Sequence, residues 1–317
     1  MIEIAMVAPE FLARRLRAAP PTGIELRLTC WESGPPPEDV ERADVFVPWI
    51  GDRSAARAAL GRLRPPAWVC AVSSGIDWFV GSVPEGVVVT GGQGIRSDAC
   101  AEWVAAVSLY FVRGLDVFAR RQREHRWEQS CFGSLAEATV LLLGYGAIGQ
   151  AVERRLASFG CRFIRVAEHG GPGVHEASEL PLLIYRADIV VVALPLNSAT
   201  TGLVDRDFLE SMRPGALLVN VARGAVLDTP ALLGELRRGR IRAALDVTDL
   251  EPLPPDHPLY SAPGLLLTPH IAGETPAFAD QAHRFVVDQL NRHALGLPLL
   301  NQCHVPSAKL ALISASR

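Results

Sequence analysis

The chain opens with short apolar runs separated by polar, glycine-bearing or proline-bearing segments: Ile2 to Val7, Ile24 to Leu28, Val45 to Trp49, Trp68 to Ser73 and Val87 to Thr90. Runs of this length, rich in β-branched residues, read as strands. The stretches between them are helical or turn-rich, and the alternation predicts a parallel α/β sheet. From Asp98 to about Arg126 the spacing changes. Ala101, Val104, Ala105, Ser108, Leu109 and Val112 fall at helical intervals, with no proline and one interruption at Gly114. A long helix leading out of the first unit is predicted there.

A second series of apolar runs follows: Thr139 to Leu143, Phe163 to Val166, Ile189 to Ala193, Ala216 to Asn220, Ala243 to Val247 and Leu265 to Leu267. Interleaved with helical segments, these predict a second doubly wound α/β unit. A last helical stretch, Pro276 to Leu295, follows the final strand and is expected to cross back onto the first unit. The predicted division is one domain from 1–97 completed by 278–317, and another from 98–277. The tail from Val305 to Arg317 has no amphipathic period and reads as a disordered end.

Composition narrows the partners. With 317 residues, 49% hydrophobic and 21% charged, the chain is long enough and apolar enough for two globular domains. A formal net charge of -3 gives no electrostatic reason to expect nucleic acid or an anionic membrane. The six cysteines form no C-x-x-C pair, so no metal site is expected and a reducing cytoplasm is the natural compartment. The N-terminal run reads as a strand, not as a cleavable leader. No apolar run approaches the ~18 residues of a membrane span.

Gly144-Tyr145-Gly146-Ala147-Ile148-Gly149 follows the apolar strand Val140 to Leu143 and opens a helical stretch reaching about Phe159. Strand, G-x-G-x-x-G and helix together are the context of a dinucleotide pyrophosphate site. Gly144 serves the tight turn, Gly146 the close approach of the phosphates, and Gly149 the packing of helix on strand. An acid is expected about 20 residues later to hold the adenosine ribose. Glu168 is the candidate, favouring NAD over NADP by repelling a 2′-phosphate. A solvated loop glutamate is the competing reading.

Three later segments carry more specific chemistry: Asn220-Val221-Ala222-Arg223-Gly224, then Leu245-Asp246-Val247 with Glu251-Pro252-Leu253-Pro254, then Thr268-Pro269-His270-Ile271-Ala272-Gly273. In this order, after the glycine motif and Leu194-Pro195-Leu196 with Thr200, the chain resembles the D-2-hydroxyacid dehydrogenase family from about Val45 to Asn301. The resemblance implies two doubly wound parallel-sheet domains, a Rossmann-type cofactor domain and a flavodoxin-like substrate domain, with the active site in the cleft. It also implies a homodimer that moves a hydride between NAD(H) and a small 2-oxo or D-2-hydroxy acid. Each of the three segments lies at or just beyond a strand end of the second unit, the edge where open parallel sheets bind ligands.

Reduction of a 2-oxo acid needs a cation for the carboxylate and a proton donor for the carbonyl oxygen. Arg223 can supply the first through its forked guanidinium, and His270 the second. Glu251, if hydrogen-bonded to that ring, would orient it and favour its charged form. These are the roles of the matching residues in the family. By the same resemblance, Thr200 contacts the cofactor phosphates, the Leu194-Pro195 segment lines the cofactor, and Ala222 and Gly273 border the nicotinamide. Asp246 serves the nicotinamide carboxamide or local structure.

In the first unit, Ser73-Ser74-Gly75-Ile76-Asp77 is similar to the family's turn after the fourth strand, where main-chain N–H groups meet the substrate carboxylate. Ser74 and Gly75 are the implied anchors. Trp49, at a strand end, is either a pocket wall or packing. Arg96-Ser97 departs from the family where many members carry asparagine, so Arg96 either recognises a second acidic group or joins an interdomain ion pair. Formate dehydrogenases place glutamine where Glu251 stands, and phosphite dehydrogenases carry a lysine just before the glycine where this chain has Ser74-Gly75, which weakens both readings. An NAD(H)-sensing corepressor remains the alternative outside catalysis.

Overall fold

A computed structural model of the chain describes residues 2–303; the tail beyond Val305, read above as a disordered end, lies outside them. The chain divides into two compact units, one built from residues up to Arg96 together with those from Thr275 on, the other from Ser97–Glu274.

The first unit begins β1 (Ile2–Ala8), α1 (Glu10–Ala18), β2 (Ile24–Cys30), β3 (Val45–Phe46), α2 (Arg53–Leu60), β4 (Trp68–Cys70) and β5 (Val88–Thr90). β3 is shorter than the apolar run that announced it. Val47 still donates its N–H to Val7 at 2.9 Å, but Pro48 has no donor to continue the ladder.

The second unit opens with α3 (Ser97–Val112) and α4 (Leu115–Arg123), so the single long helix expected from the spacing is two. Gly114 between them takes a left-handed backbone, φ +63°, which ends the first helix. Then come β6 (Thr139–Leu143), α5 (Ala147–Ala157), β7 (Arg162–Ala167), β8 (His175–Glu176), α6 (Leu180–Leu183), β9 (Ile189–Val192), α7 (Arg206–Ser211), β10 (Leu217–Asn220), α8 (Thr229–Arg237), β11 (Arg242–Leu245) and β12 (Leu265–Leu267). The sheet runs β12-β11-β10-β9-β6-β7-β8, parallel throughout. Its central strands β6, β9 and β10 are buried on both faces with strict alternation: Leu141, Leu143, Val190, Val192 and Leu218 enter one core, Val140, Leu142, Ile189, Val191, Leu217 and Val219 the other. That period of two is why these strands read as continuous apolar runs.

The chain then returns to the first unit through α9 (Phe278–Ala294) and β13 (Gln302–Cys303). Phe278, Ala282, Val286 and Leu290 of α9, at helical spacing, share one core with Ile4, Met6, Leu12 and Leu16. The last helical stretch does pack on the first unit. The first sheet has the order β13-β5-β4-β3-β1-β2, parallel except for β13. In each sheet the connection reverses beside the first strand, between β1 and β3 and between β6 and β9, and such switch points hold the ligand crevices of open α/β sheets. Among the described residues no helix is long and apolar enough to cross a membrane.

Candidate active site

The glycine turn lies at the switch point of the second sheet. Gly144 has φ +100°, and a Cβ there would come within 2.5 Å of the Ala193 carbonyl oxygen beyond β9, so glycine is required by both conformation and crowding. A Cβ on Gly149 would collide with the Gly144 carbonyl, whereas one on Gly146, the residue capping α5, would meet nothing within 4 Å. The turn is therefore tight underneath and open above. The first N–H groups of α5, from Ala147 and Ile148 on, face that opening without intrahelical partners, as at every helix start. A dinucleotide pyrophosphate fits this cradle.

Tyr145, whose side chain the sequence left without a role, folds back on its own support. Arg165 of β7 makes a two-pronged ion pair with Glu153 of α5, 2.7 and 2.5 Å, and its guanidinium lies 5.7 Å from the Tyr145 ring centre. The Arg165 bond holds the Glu153 carboxyl below the usual range, and burial, then the bond to Glu153, pushes the Tyr145 phenol up. Glu168 directly follows β7 and is exposed. Across the switch point, the Thr200 hydroxyl donates to the Pro195 carbonyl at 2.6 Å and accepts from Asn197 N–H at 2.9 Å, closing the loop after Leu194.

Beyond β10, Asn220 is buried and braces the next turn in both directions, accepting from Ala222 N–H at 3.0 Å and donating to the Arg223 carbonyl at 3.1 Å. Arg223 extends from this turn with one guanidinium nitrogen 2.7 Å from the Ala222 carbonyl. The signal for Asn220 was a polar residue ending the apolar strand Leu217–Asn220. Gly224 packs so closely on Thr248 and Asp249 that a Cβ would overlap their backbone.

Asp246, just past β11, is 3% exposed. One carboxylate oxygen accepts the Thr268 hydroxyl at 2.6 Å and Ile271 N–H at 2.8 Å, the other Ala272 N–H at 2.9 Å. Its carbonyl accepts His270 N–H at 2.7 Å. Both oxygens are thus engaged with the 268–272 turn. The turn they hold puts His270 at φ +57°, a left-handed conformation costly for a side-chain-bearing residue and maintained only where the surroundings fix it.

In that conformation His270 Nδ1 meets Glu251 at 2.9 Å, while the other Glu251 oxygen accepts Thr248 N–H at 3.2 Å. Burial alone would raise the Glu251 carboxyl; the His270 bond and charge, Thr248 N–H and the Arg223 charge outweigh it and hold the group below its ordinary value. The second unit therefore brings Arg223, Glu251 and His270 into one electrostatic group, with the Nδ1 edge of the imidazole turned to Glu251.

In the first unit, the Ser74 hydroxyl donates to the Gly92 carbonyl at 3.4 Å, and the main-chain N–H groups of Ser74 and Gly75 donate to no protein acceptor among the described residues. Such a pair of free N–H groups suits an anion. Trp49 stands after β3, its ring 5.4 Å from Phe11, and Phe11 lies 5.6 Å from Phe278, over which the Arg96 guanidinium stacks at 3.7 Å.

Comparison with known proteins agrees with this geometry. A glyoxylate reductase of Thermofilum pendens is 35% identical over 204 residues, 60% of this chain and 60% of that protein. A D-3-phosphoglycerate dehydrogenase of Mycobacterium tuberculosis is 33% identical over 214 residues, 65% of this chain and 40% of that protein. The chain thus spans about half the length of these curated relatives. A crystal structure of a D-isomer specific 2-hydroxyacid dehydrogenase from Xanthobacter autotrophicus Py2, in complex with NADPH and MES, is 30% identical, with a TM-score of 0.82 over 96% of this chain and 98% of that one. Residues 105–272 match the sequence profile of the NAD binding domain of D-isomer specific 2-hydroxyacid dehydrogenases, more than half of the chain, and the chain belongs to that family.

Proposed function

We propose that the protein reduces a small 2-oxo acid to the D-2-hydroxy acid, and catalyses the reverse, with NAD(H) as hydride carrier. The observation that carries this reading is the His270–Glu251 pair at 2.9 Å on a turn fixed by buried Asp246. Bound nicotinamide dinucleotide supplies the hydride. Arg223 holds the carboxylate and polarises the carbonyl, as a forked guanidinium does. His270 Nε2 gives its proton to the carbonyl oxygen in reduction and takes it back in oxidation, and Glu251 keeps the ring oriented and favours its charged form. The N–H groups of Ser74 and Gly75 take the substrate carboxylate, Trp49 walls that pocket, and Arg96 recognises a second acidic group on the substrate. Gly144, Gly146, Ala147, Ile148 and Gly149 cradle the pyrophosphate, the Leu194-Pro195 loop and Thr200 border the dinucleotide, and Ala222 and Gly273 border the nicotinamide.

Glu168 favours NADH over NADPH, although related structures have been solved with the phosphorylated cofactor. A homodimer is supported by Trp127, 98% exposed in the segment after α4, a surface suited to a second copy. Cysteines that are all free among the described residues support a cytoplasmic setting.

The test is oxidation of NADH and of NADPH by purified protein with a panel of 2-oxo acids. Turnover with a higher kcat/KM for NADH supports the reading. Tight NADH binding without turnover of any acid would replace it with a sensor, and equal use of both cofactors would remove Glu168 from the ribose site.

A further inference from the structure

The turn at Ser74 and Gly75 is closed within itself by the Ser73 hydroxyl, which donates to the Gly75 carbonyl at 3.1 Å. It leans on the segment after β5, where Gly92 donates its N–H to the Ser73 carbonyl at 2.9 Å and accepts from the Ser74 hydroxyl. The approach is close: a Cβ on Gly92 would lie 2.6 Å from the Val72 carbonyl carbon. That segment is gripped from its far side by Asn301. The Asn301 amide nitrogen donates to the carbonyls of Gly91 at 3.2 Å and Gln93 at 3.0 Å, while Gly91 N–H donates back to the Asn301 carbonyl at 3.0 Å. Two carbonyl oxygens aimed at one point repel unless a donor lies between them, and an –NH2 group offers the two hydrogens required. Asn301 reaches them from a left-handed backbone, φ +53°. Its neighbour Leu300 is fixed by Gln289, fully buried in α9, which accepts Leu300 N–H at 2.8 Å and donates to its carbonyl at 2.9 Å.

We propose that Asn301 is a positioning residue for substrate, setting the 91–93 segment and through it the Ser74–Gly75 N–H groups that receive the carboxylate; this rests on the role given to that turn above. Asn301→Gly deletes the amide while keeping the left-handed backbone and the Gly91 bond. Asn301→Asp keeps the shape but turns an acceptor toward two carbonyls.

With glyoxylate as substrate at saturating NADH, Asn301→Gly should raise KM about tenfold and Asn301→Asp more, with kcat and the NADH Kd within about twofold of wild type. The neutral amide of glyoxylate, which has no carboxylate to seat, should be reduced equally well by all three proteins. Wild-type KM for glyoxylate in either variant overturns the proposal, as does an equal rise for glyoxylate and its amide, which is the mark of a purely structural clamp. Gly75→Pro, which removes an N–H from the turn itself, separates the premises. If it raises KM for glyoxylate while the Asn301 variants do not, only the positioning role falls. If it leaves KM unchanged with NADH binding intact, the carboxylate is not bound there and both readings fall.

Discussion

Asp246→Asn is the substitution that most directly tests how the His270 turn is held. The native carboxylate accepts three hydrogen bonds, at 2.6, 2.8 and 2.9 Å, two of them from the main chain of Ile271 and Ala272. An asparagine amide has one oxygen and one –NH2. Whichever way it turns, at least one main-chain N–H then faces another donor, and the remaining bonds lose their charge assistance. With hydrogen bonds to charged groups at about 1.5 to 3 kcal/mol, and a similar cost for a buried donor left unpaired, the segment should lose about 2 to 4 kcal/mol. The same bonds offset the cost of the left-handed His270 backbone, of order 1 to 3 kcal/mol. Once they weaken, the ring leaves its bond to Glu251, and a displacement of about 1 Å is enough to cost on the order of 100-fold in rate. The measurements are kcat/KM for 2-oxo acid reduction and the denaturant midpoint of the same preparation. A variant with both at wild-type values would show that something other than the Asp246 carboxylate holds the turn.

Arg223→Lys keeps the charge but loses the fork, and kcat/KM for reduction should fall by the equivalent of roughly 2 to 4 kcal/mol; a near-normal value would exclude Arg223 from substrate binding. Glu251 is held below its ordinary 4.5, so the stability it contributes is complete above that pH and is lost as pH falls through the lowered value. Melting temperatures of wild type and Glu251→Gln should therefore differ most above pH 4.5 and converge in more acid solution; coincident curves at neutral pH would contradict the pairing. In Gly224→Ala the new methyl group overlaps the Thr248 and Asp249 backbone and must push the segment bearing Glu251, so kcat/KM should drop by about 100-fold. A fully active alanine variant would show that this contact does not set the position of Glu251.

The parts of this molecule legible in its sequence are those governed by short-range periodicity. Leu141 and Leu143 alternate with Val140 and Leu142 because both faces of β6 are covered, and hydrophobicity records that directly. The glycine turn was readable because φ +100° at Gly144 leaves little choice of residue. β8 and β13 went unread because each is two residues long and polar in part, existing only through the strand beside it. The bonds of Asp246 span 22 to 26 residues. They depend on β11 pairing with β12 in the register Leu245↔Leu267, which no local pattern encodes. The same holds for Asn301, 210 residues from the Gly91 carbonyl it holds.

The return of the chain through α9 also bears on how the protein is made. The second unit is one continuous stretch, Ser97–Glu274, and can close its core as soon as that stretch has left the ribosome. The first unit is synthesised first yet must wait, because Phe278, Ala282, Val286 and Leu290 complete the core that contains Ile4, Met6 and Leu12. Domains generally fold as units during synthesis, N-terminal first; here the unit that contains β1 should be completed after the one that follows it. Ribosome-bound chains arrested once Glu274 has cleared the exit tunnel, with the α9 segment still inside it, should accordingly present a protease-resistant second unit behind a cleavable first one.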